Sequence, residues 1–326
     1  MSRGLTRRGG GLRPVPFRIA GLLIGVAALV PLVLNDYLLQ VLTIGFYYVV
    51  LAVSWNLLAG YTGQFSLAQQ AFATIGAYTT GMLAHYYHVP IAVGIAAAVL
   101  ISGCAGVILG VMVLRMRAIY LAIATWGFAE TLRITLTAAY EVTRGDLGLS
   151  VPTLLGNLDT VPYYYIFLAM AAASTLIVYV VVRSPIGFFL RAIKDDELRA
   201  ASMGINTTFW KVFAFALTSM LSGLAGAFYA HYVAVISPQM ADFTEMAKII
   251  VMVIVGGIGT FAGPLVGAPV VQVVSSFLHQ YGQWSNVIFA VLVIVLMRTY
   301  RDGGVALLLH AFRLLWARVA EGRGHA

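Results

Sequence analysis

Glu130 and Arg133 stand three residues apart inside an apolar run that extends from 118 to 140. A lone charge at mid-membrane costs at least ~2.5–3.5 kcal/mol on insertion scales, so each of them needs a partner. The i,i+3 spacing puts both on one helix face, where they can form an intramembrane ion pair. A second polar stretch, GYTGQFSLAQQAFATIGAY at 60–78, sets Gln64, Ser66, Gln69 and Gln70 among Gly60, Gly63 and Gly76. Irregular backbone at membrane depth survives only where it is packed in protein or lines a wet cavity, so Gln64, Ser66 and Gln69 are candidates for a solute pathway. A third stretch, GGIGTFAGPLVGA at 256–268, interrupts an apolar segment with Gly257, Gly259, Gly263 and Pro264. Broken helices expose amide and carbonyl ends that suit the carboxylate and ammonium of a zwitterion, which places these four in the same candidate pathway. Close helix packing through small residues is the competing reading of each glycine.

Signals for covalent or nucleotide chemistry are missing. The only lysines are Lys194, Lys211 and Lys248, and none follows a glycine, so no phosphate-binding G-x-x-x-x-G-K-[ST] loop exists. Neither G-x-S-x-G nor H-E-x-x-H occurs. The single cysteine, Cys104, lies in an apolar run and reads as a small packing residue. His85 and His88 have no Asp, Glu or Cys within ten residues and read as an interfacial pair, so no metal site is expected.

The elements that must carry these residues follow from composition. Of 326 residues, 61% are hydrophobic and 10% charged, with mean hydropathy +0.91. So few charges cannot cover a water-soluble protein of this length, and apolar runs this long exclude disorder. Apolar segments at about 17–34, 38–59, 65–84, 90–114, 118–140, 163–182 and 212–235 predict membrane helices, and a final one runs from 285 to 298. The basic start before residue 17 resembles a signal peptide, but the small-residue cleavage pattern is missing and further spans follow. The stretch 247–280 is too long for one crossing and is read as two short spans joined by a glycine-rich turn. The fold class is therefore an all-α polytopic membrane protein of about ten transmembrane helices, some short or broken.

With cytoplasmic N- and C-termini, 17 of the 20 basic residues fall on cytoplasmic segments. The formal net charge of +8 then reflects membrane orientation, and without interleaved surface aromatics it does not point to nucleic acid. In this topology residues 1–16 are a basic cytoplasmic tail, 17–298 the transmembrane domain, and 299–326 a second basic tail whose segment 303–320 fits an interfacial helix against lipid. Asp242 and Glu245 fall on the external side, as does Lys248. The external loop 141–162 is rich in glycine and proline and suggests turns over an opening.

The only sizeable cytoplasmic connection, 183–211, contains RSPIGFFLRAIKDDELRAASMGIN. Ser184-Pro185 suits a helix start, Arg191 and Asp195 an i,i+4 pair, Gly204 a C-terminal cap and Asn206 an N-cap. The expectation is a short charged helix parallel to the membrane with a weakly periodic apolar face.

This loop resembles the cytoplasmic coupling segment of ABC importer permeases, in particular the branched-chain amino-acid permease family. Ser184, Pro185, Gly187, Ala192, Ile193, Asp195, Glu197, Ala200, Ala201, Gly204 and Asn206 carry the resemblance. It extends over about 40–295 through the two glycine-rich stretches and TRGDLGL at 143–149. Phe188 stands where the family often has arginine, and Arg144 where it often has glycine. The resemblance implies an importer of branched-chain amino acids driven by ATP hydrolysis on separate subunits, with coupling through Gly187, Arg191, Asp195, Glu197, Ala200, Ala201 and Gly204. It also implies a homologous second permease subunit, two ATP-binding subunits that hold the ATP and magnesium, and an external, periplasmic solute-binding protein at the inner membrane. No cofactor is implied in this chain. Urea and short-amide permeases are similar in sequence, and an ion-coupled secondary transporter or a channel is the rival reading from another class.

Overall fold

A computed structural model describes residues 25–291 except 26, 33, 114, 115, 117, 157, 158, 279, 281, 283, 285, 286 and 289. Most of the expected first span, most of 285–298, and both tails lie outside the described residues. After a 3-10 turn at Val30–Leu32 come α1 (Asp36–Asn56, running on as a π-helical turn Leu57–Tyr61), α2 (Gln69–Tyr87), α3 (Ile91–Val113) and α4 (Ala118–Ala138). Then follow α5 (Thr160–Arg183), α6 (Pro185–Asp195), α7 (Glu197–Ser202), α8 (Thr207–Val233), α9 (Phe243–Gly256) and α10 (Ala262–Leu278). One two-residue antiparallel ribbon, β1 (Leu149–Ser150) on β2 (Val235–Ile236), joins two loops at one end of the bundle. Between 36 and 278 every expected apolar segment is a helix, and 247–280 divides as expected, at Gly257–Phe261.

Four of these helices are long and apolar enough to cross a membrane: 36–61, 91–113, 160–183 and 207–233. The polar residues of α2 and the ion pair of α4 dilute those two helices. At 14 and 17 residues, α9 and α10 rise only about 21 and 26 Å, less than the ~30 Å hydrocarbon core. They work as a broken pair.

Burial ranks the helices. The most apolar window of 36–61 is 78% buried and that of α3 only 28%, so α1 is the central post and α3 a peripheral one. Helix α8 wedges between α2 and α3, its most extensive partners. Small residues permit this approach: a Cβ on Gly76 would strike the backbone of Gly223, and one on Gly226 the backbone of Ala73. Cys104 is exposed on the outer face of α3, which corrects its reading as a packing residue within the chain. The helix that carries it needs only one buried stripe.

The described part of loop 141–162 packs onto the end of the bundle. Leu149 and Val151 are buried with Ala77, Tyr78, Ala230 and Ile236, and the wholly buried His231 holds the Pro152 carbonyl through Nδ1 (2.7 Å) and Thr80 Oγ1 through Nε2 (2.8 Å). Arg144 adopts φ +63°, the left-handed conformation that glycine takes without strain.

Candidate functional site

Segment 183–211 projects at the end of the bundle opposite the ribbon. It is two helices rather than one, because Asp196 leaves the helical conformation and caps α7 by accepting from the Arg199 amide (3.1 Å). Ser184 caps α6 at its Ile186 amide (3.2 Å), and Asn206 caps α8 at the Phe209 amide (3.0 Å). Within α6 the apolar face is sharper than its sequence suggests: Gly187, Leu190 and Ile193 are buried while Phe188, Arg191, Lys194 and Asp195 face outward. Gly187 is required by close approach, since a Cβ there would enter the Val182 backbone where α6 turns off α5.

The expected Arg191–Asp195 pair does not form. The Arg191 guanidinium donates to the carbonyls of Gly187 (2.9 Å) and Val182 (3.1 Å), filling acceptors that the end of α5 leaves open. Asp195 is left exposed. Glu197 pairs with Lys211, whose side chain is only 9% exposed, and so fastens α7 to the base of α8. Ala200 is buried, Ala201 is exposed, and Gly204 closes α7 at φ +85° with nothing near it. Phe188, Leu198 and Met203 add exposed apolar surface to the same projection.

A further junction ties this projection to the central helix. Lys194 Nζ donates to the Gly60 carbonyl (2.6 Å) in the π-helical turn of α1. One turn earlier, the buried Asn56 accepts from the Gly259 amide (2.8 Å) and donates to the Thr260 carbonyl (2.9 Å). Gly60 fits here because a Cβ would meet both Asn56 Oδ1 and the Gly259 backbone. Gly257, Gly259, Gly263 and Pro264 are all buried in or beside the turn between α9 and α10. The turn is tight because α9 and α10 touch backbone to backbone at Gly256 and Gly263.

Gln64 and Ser66 lie on an irregular stretch of chain that turns back into the bundle before α2, and Gln69 opens α2. Trp55 Nε1 donates to the Ser66 carbonyl (2.7 Å), and Gln69 Nε2 to Ser222 Oγ (2.9 Å). Gln64, Gln69 and Gln70 each keep a buried side-chain oxygen with no hydrogen-bond partner. Glu130 and Arg133 pair with each other through two guanidinium nitrogens, with side chains 31% and 26% exposed.

A further polar cluster spans four helices. The Tyr48 hydroxyl donates to Glu245 Oε2, and Lys248 Nζ donates to Glu245 Oε1 (2.6 Å). Gln70 Nε2 donates to the Tyr47 hydroxyl (3.0 Å), and the Tyr47 ring lies 5.1 Å from that of Tyr48 and 4.6 Å from that of Tyr229. Tyr48 sits about 18 Å along α1 from Asp36, near the middle of the 26-residue rod. Glu245 and Lys248 are therefore held at mid-bundle, not at the outer surface where the sequence reading put them. The chain after β2 doubles back through a 3-10 turn, Pro238–Ala241, and α9 starts deep.

The family described as "Branched-chain amino acid transport system / permease component" matches residues 37–297. The chain belongs to this permease family. It is 30% identical over 317 residues to the high-affinity branched-chain amino acid transport system permease protein LivM of Salmonella typhimurium, covering 89% of this chain and 74% of the relative. LivM of Escherichia coli is 29% identical over the same shares, and the fructose import permease protein FrcC of Rhizobium meliloti is 23% identical over 72% of this chain and 69% of its own. No solved structure matches the chain.

As a member of that family the protein is an ABC-type permease subunit, a multi-pass membrane protein and not a catalytic enzyme. Sequence reasoning missed Glu245 and Lys248 as internal residues. Their opposite charges at i,i+3, just after the Asp242 that caps α9 through the Thr244 amide (2.7 Å), were the available signal.

Proposed function

We propose that this chain is the membrane-spanning subunit of an importer that carries branched-chain amino acids across the inner membrane into the cytoplasm, driven by ATP hydrolysis on separate subunits. About ten spans with both termini cytoplasmic, a homologous second permease, two ATP-binding subunits and an external solute-binding protein complete the reading. The observation that carries it is the Lys194 junction. A charged and partly apolar helix pair projects from the bundle, and its base is bonded to α1 and lies beside the turn linking α9 to α10. A push on α6 from a closing ATPase pair reaches α1 through the Gly60 carbonyl. From there the two bonds of Asn56 pass it to the turn, so the central post and the broken pair α9–α10 tilt together. Exposed Asp195, Phe188, Ala201 and Gly204 supply the docking face, whereas Gly187, Arg191, Glu197 and Ala200 hold its shape.

The test is capture of the assembly through a tag on the full chain, followed by reconstitution with its binding protein and uptake of labelled leucine, alanine and urea. Uptake of leucine that requires ATP is the expected result. Transport by the chain alone under a proton or sodium gradient refutes the reading.

A further inference from the structure

Inside the bundle a fixed charge is retained only against a cost, and an intramembrane ionisable pair with a polar surround marks a solute path more often than a staple. Glu245 and Lys248 fit that description: their side chains are 28% and 15% exposed, while Tyr47 and Tyr48 behind them are buried. The pair can thus be reached from one side and is backed by protein on the other. We propose that Glu245 and Lys248, backed by Tyr48, Tyr47 and Gln70, are where this subunit holds the α-ammonium and α-carboxylate of an amino acid in transit. This rests on the importer reading above.

The charge balance favours it. A zwitterion and an ion pair are each neutral, so the ammonium of the solute can take the place of Lys248 on Glu245 while its carboxylate takes the place of Glu245 on Lys248. No uncompensated charge arises at any stage, which matters where the surroundings are poor in water. Tyr48 donates to one oxygen of Glu245 and leaves the carboxylate partly satisfied when Lys248 swings aside. Gln70, whose amide nitrogen is used on Tyr47, keeps a buried oxygen without a partner, a spare acceptor for an ammonium or for the water that precedes it. Two residues before Glu245, Phe243 lines an open apolar groove of about 620 Å³ with Trp126, Ile123 and Phe65, an apolar surface one helical turn or less along the chain from the pair's carboxylate. A sugar or an amide gains nothing from this exchange, since neither carries the two charges.

The experiment uses the complex captured with the full chain. Glu245→Gln, Lys248→Met and the double variant are compared in proteoliposomes supplied with saturating leucine-loaded binding protein. Without the binding protein, saturation-transfer NMR in nanodiscs reads contact with leucine, with leucinamide (ammonium only) and with 4-methylpentanoate (carboxylate only). Loss of one charge-assisted contact should lower the uptake rate by about tenfold or more. Glu245→Gln should abolish the leucinamide signal and spare 4-methylpentanoate, and Lys248→Met should do the reverse. The double variant decides between site and staple: removing both partners of a merely structural pair leaves no stranded charge and should be nearly silent. If the double variant assembles and moves leucine at the wild-type rate, the site assignment falls while the importer reading stands. If the double variant fails to assemble, Tyr48→Phe, which removes one donor and no volume, takes its place, and unchanged uptake there also overturns the site. A wild-type complex that moves no amino acid overturns both.

Discussion

Replacing Asn56 with leucine tests the junction on which coupling depends. The two side chains have the same number of heavy atoms in the same branched arrangement, so the change removes hydrogen bonds without opening a hole. Asn56 is 3% exposed and satisfies two backbone groups of the α9–α10 turn, the Gly259 amide at 2.8 Å and the Thr260 carbonyl at 2.9 Å. Each buried group left unpaired costs about 1–3 kcal/mol. Gly259 is buried and should bear a full share, whereas Thr260 is half-buried and can regain water, which sets the total at roughly 2–3 kcal/mol. At 1.4 kcal/mol per decade, the opening equilibrium of the turn should rise about 30- to 150-fold. Hydrogen–deuterium exchange read on a peptide covering 254–262 measures that opening directly. Exchange in α3, which does not touch the turn, should stay unchanged. Protection of 254–262 within threefold of the wild type would show that Asn56 does not hold the turn, and the proposed route from α6 to α9 and α10 would go with it.

Three other outcomes follow from the same geometry. Asp195→Lys should reduce capture of the ATP-binding subunits with no change in thermal stability, while Glu197→Lys should lower the melting temperature because it strands the nearly buried Lys211; thermal unfolding beside co-purification separates the two. Arg144→Gly should raise stability by about 1–2 kcal/mol by relieving the left-handed backbone at φ +63°, and an unchanged or lower melting temperature would contradict this. Gly76→Ala should cost roughly 1–3 kcal/mol by driving its methyl into the Gly223 backbone, read as lost yield of folded protein, whereas Cys104→Leu on the outer face of α3 should fall within about 0.5 kcal/mol of the wild type.

Much of the fold was legible from hydropathy. Membrane helices satisfy their own backbone, so apolar length and glycine breaks mark their ends with little help from packing, and the helices between 36 and 278 fall where those signals put them. The caps Ser184, Asp242 and Asn206 act within three residues. The Glu130–Arg133 pair was equally readable, because i,i+3 neighbours meet on any helix.

Interactions between residues far apart in the chain were not legible. Arg191 turns from Asp195 to two carbonyls because α6 folds back beneath the end of α5, and Glu197 finds Lys211 only because α7 lies against α8. The glycines of 256–268 carry the same letters wherever they lie in the fold, and only the tertiary structure brings Gly256 against Gly263 backbone to backbone. Local sequence determined where the helices run and how they are capped. Tertiary structure decided which charges meet, because the depth of Glu245 depends on a loop doubling back between helices that hydropathy alone cannot locate in space.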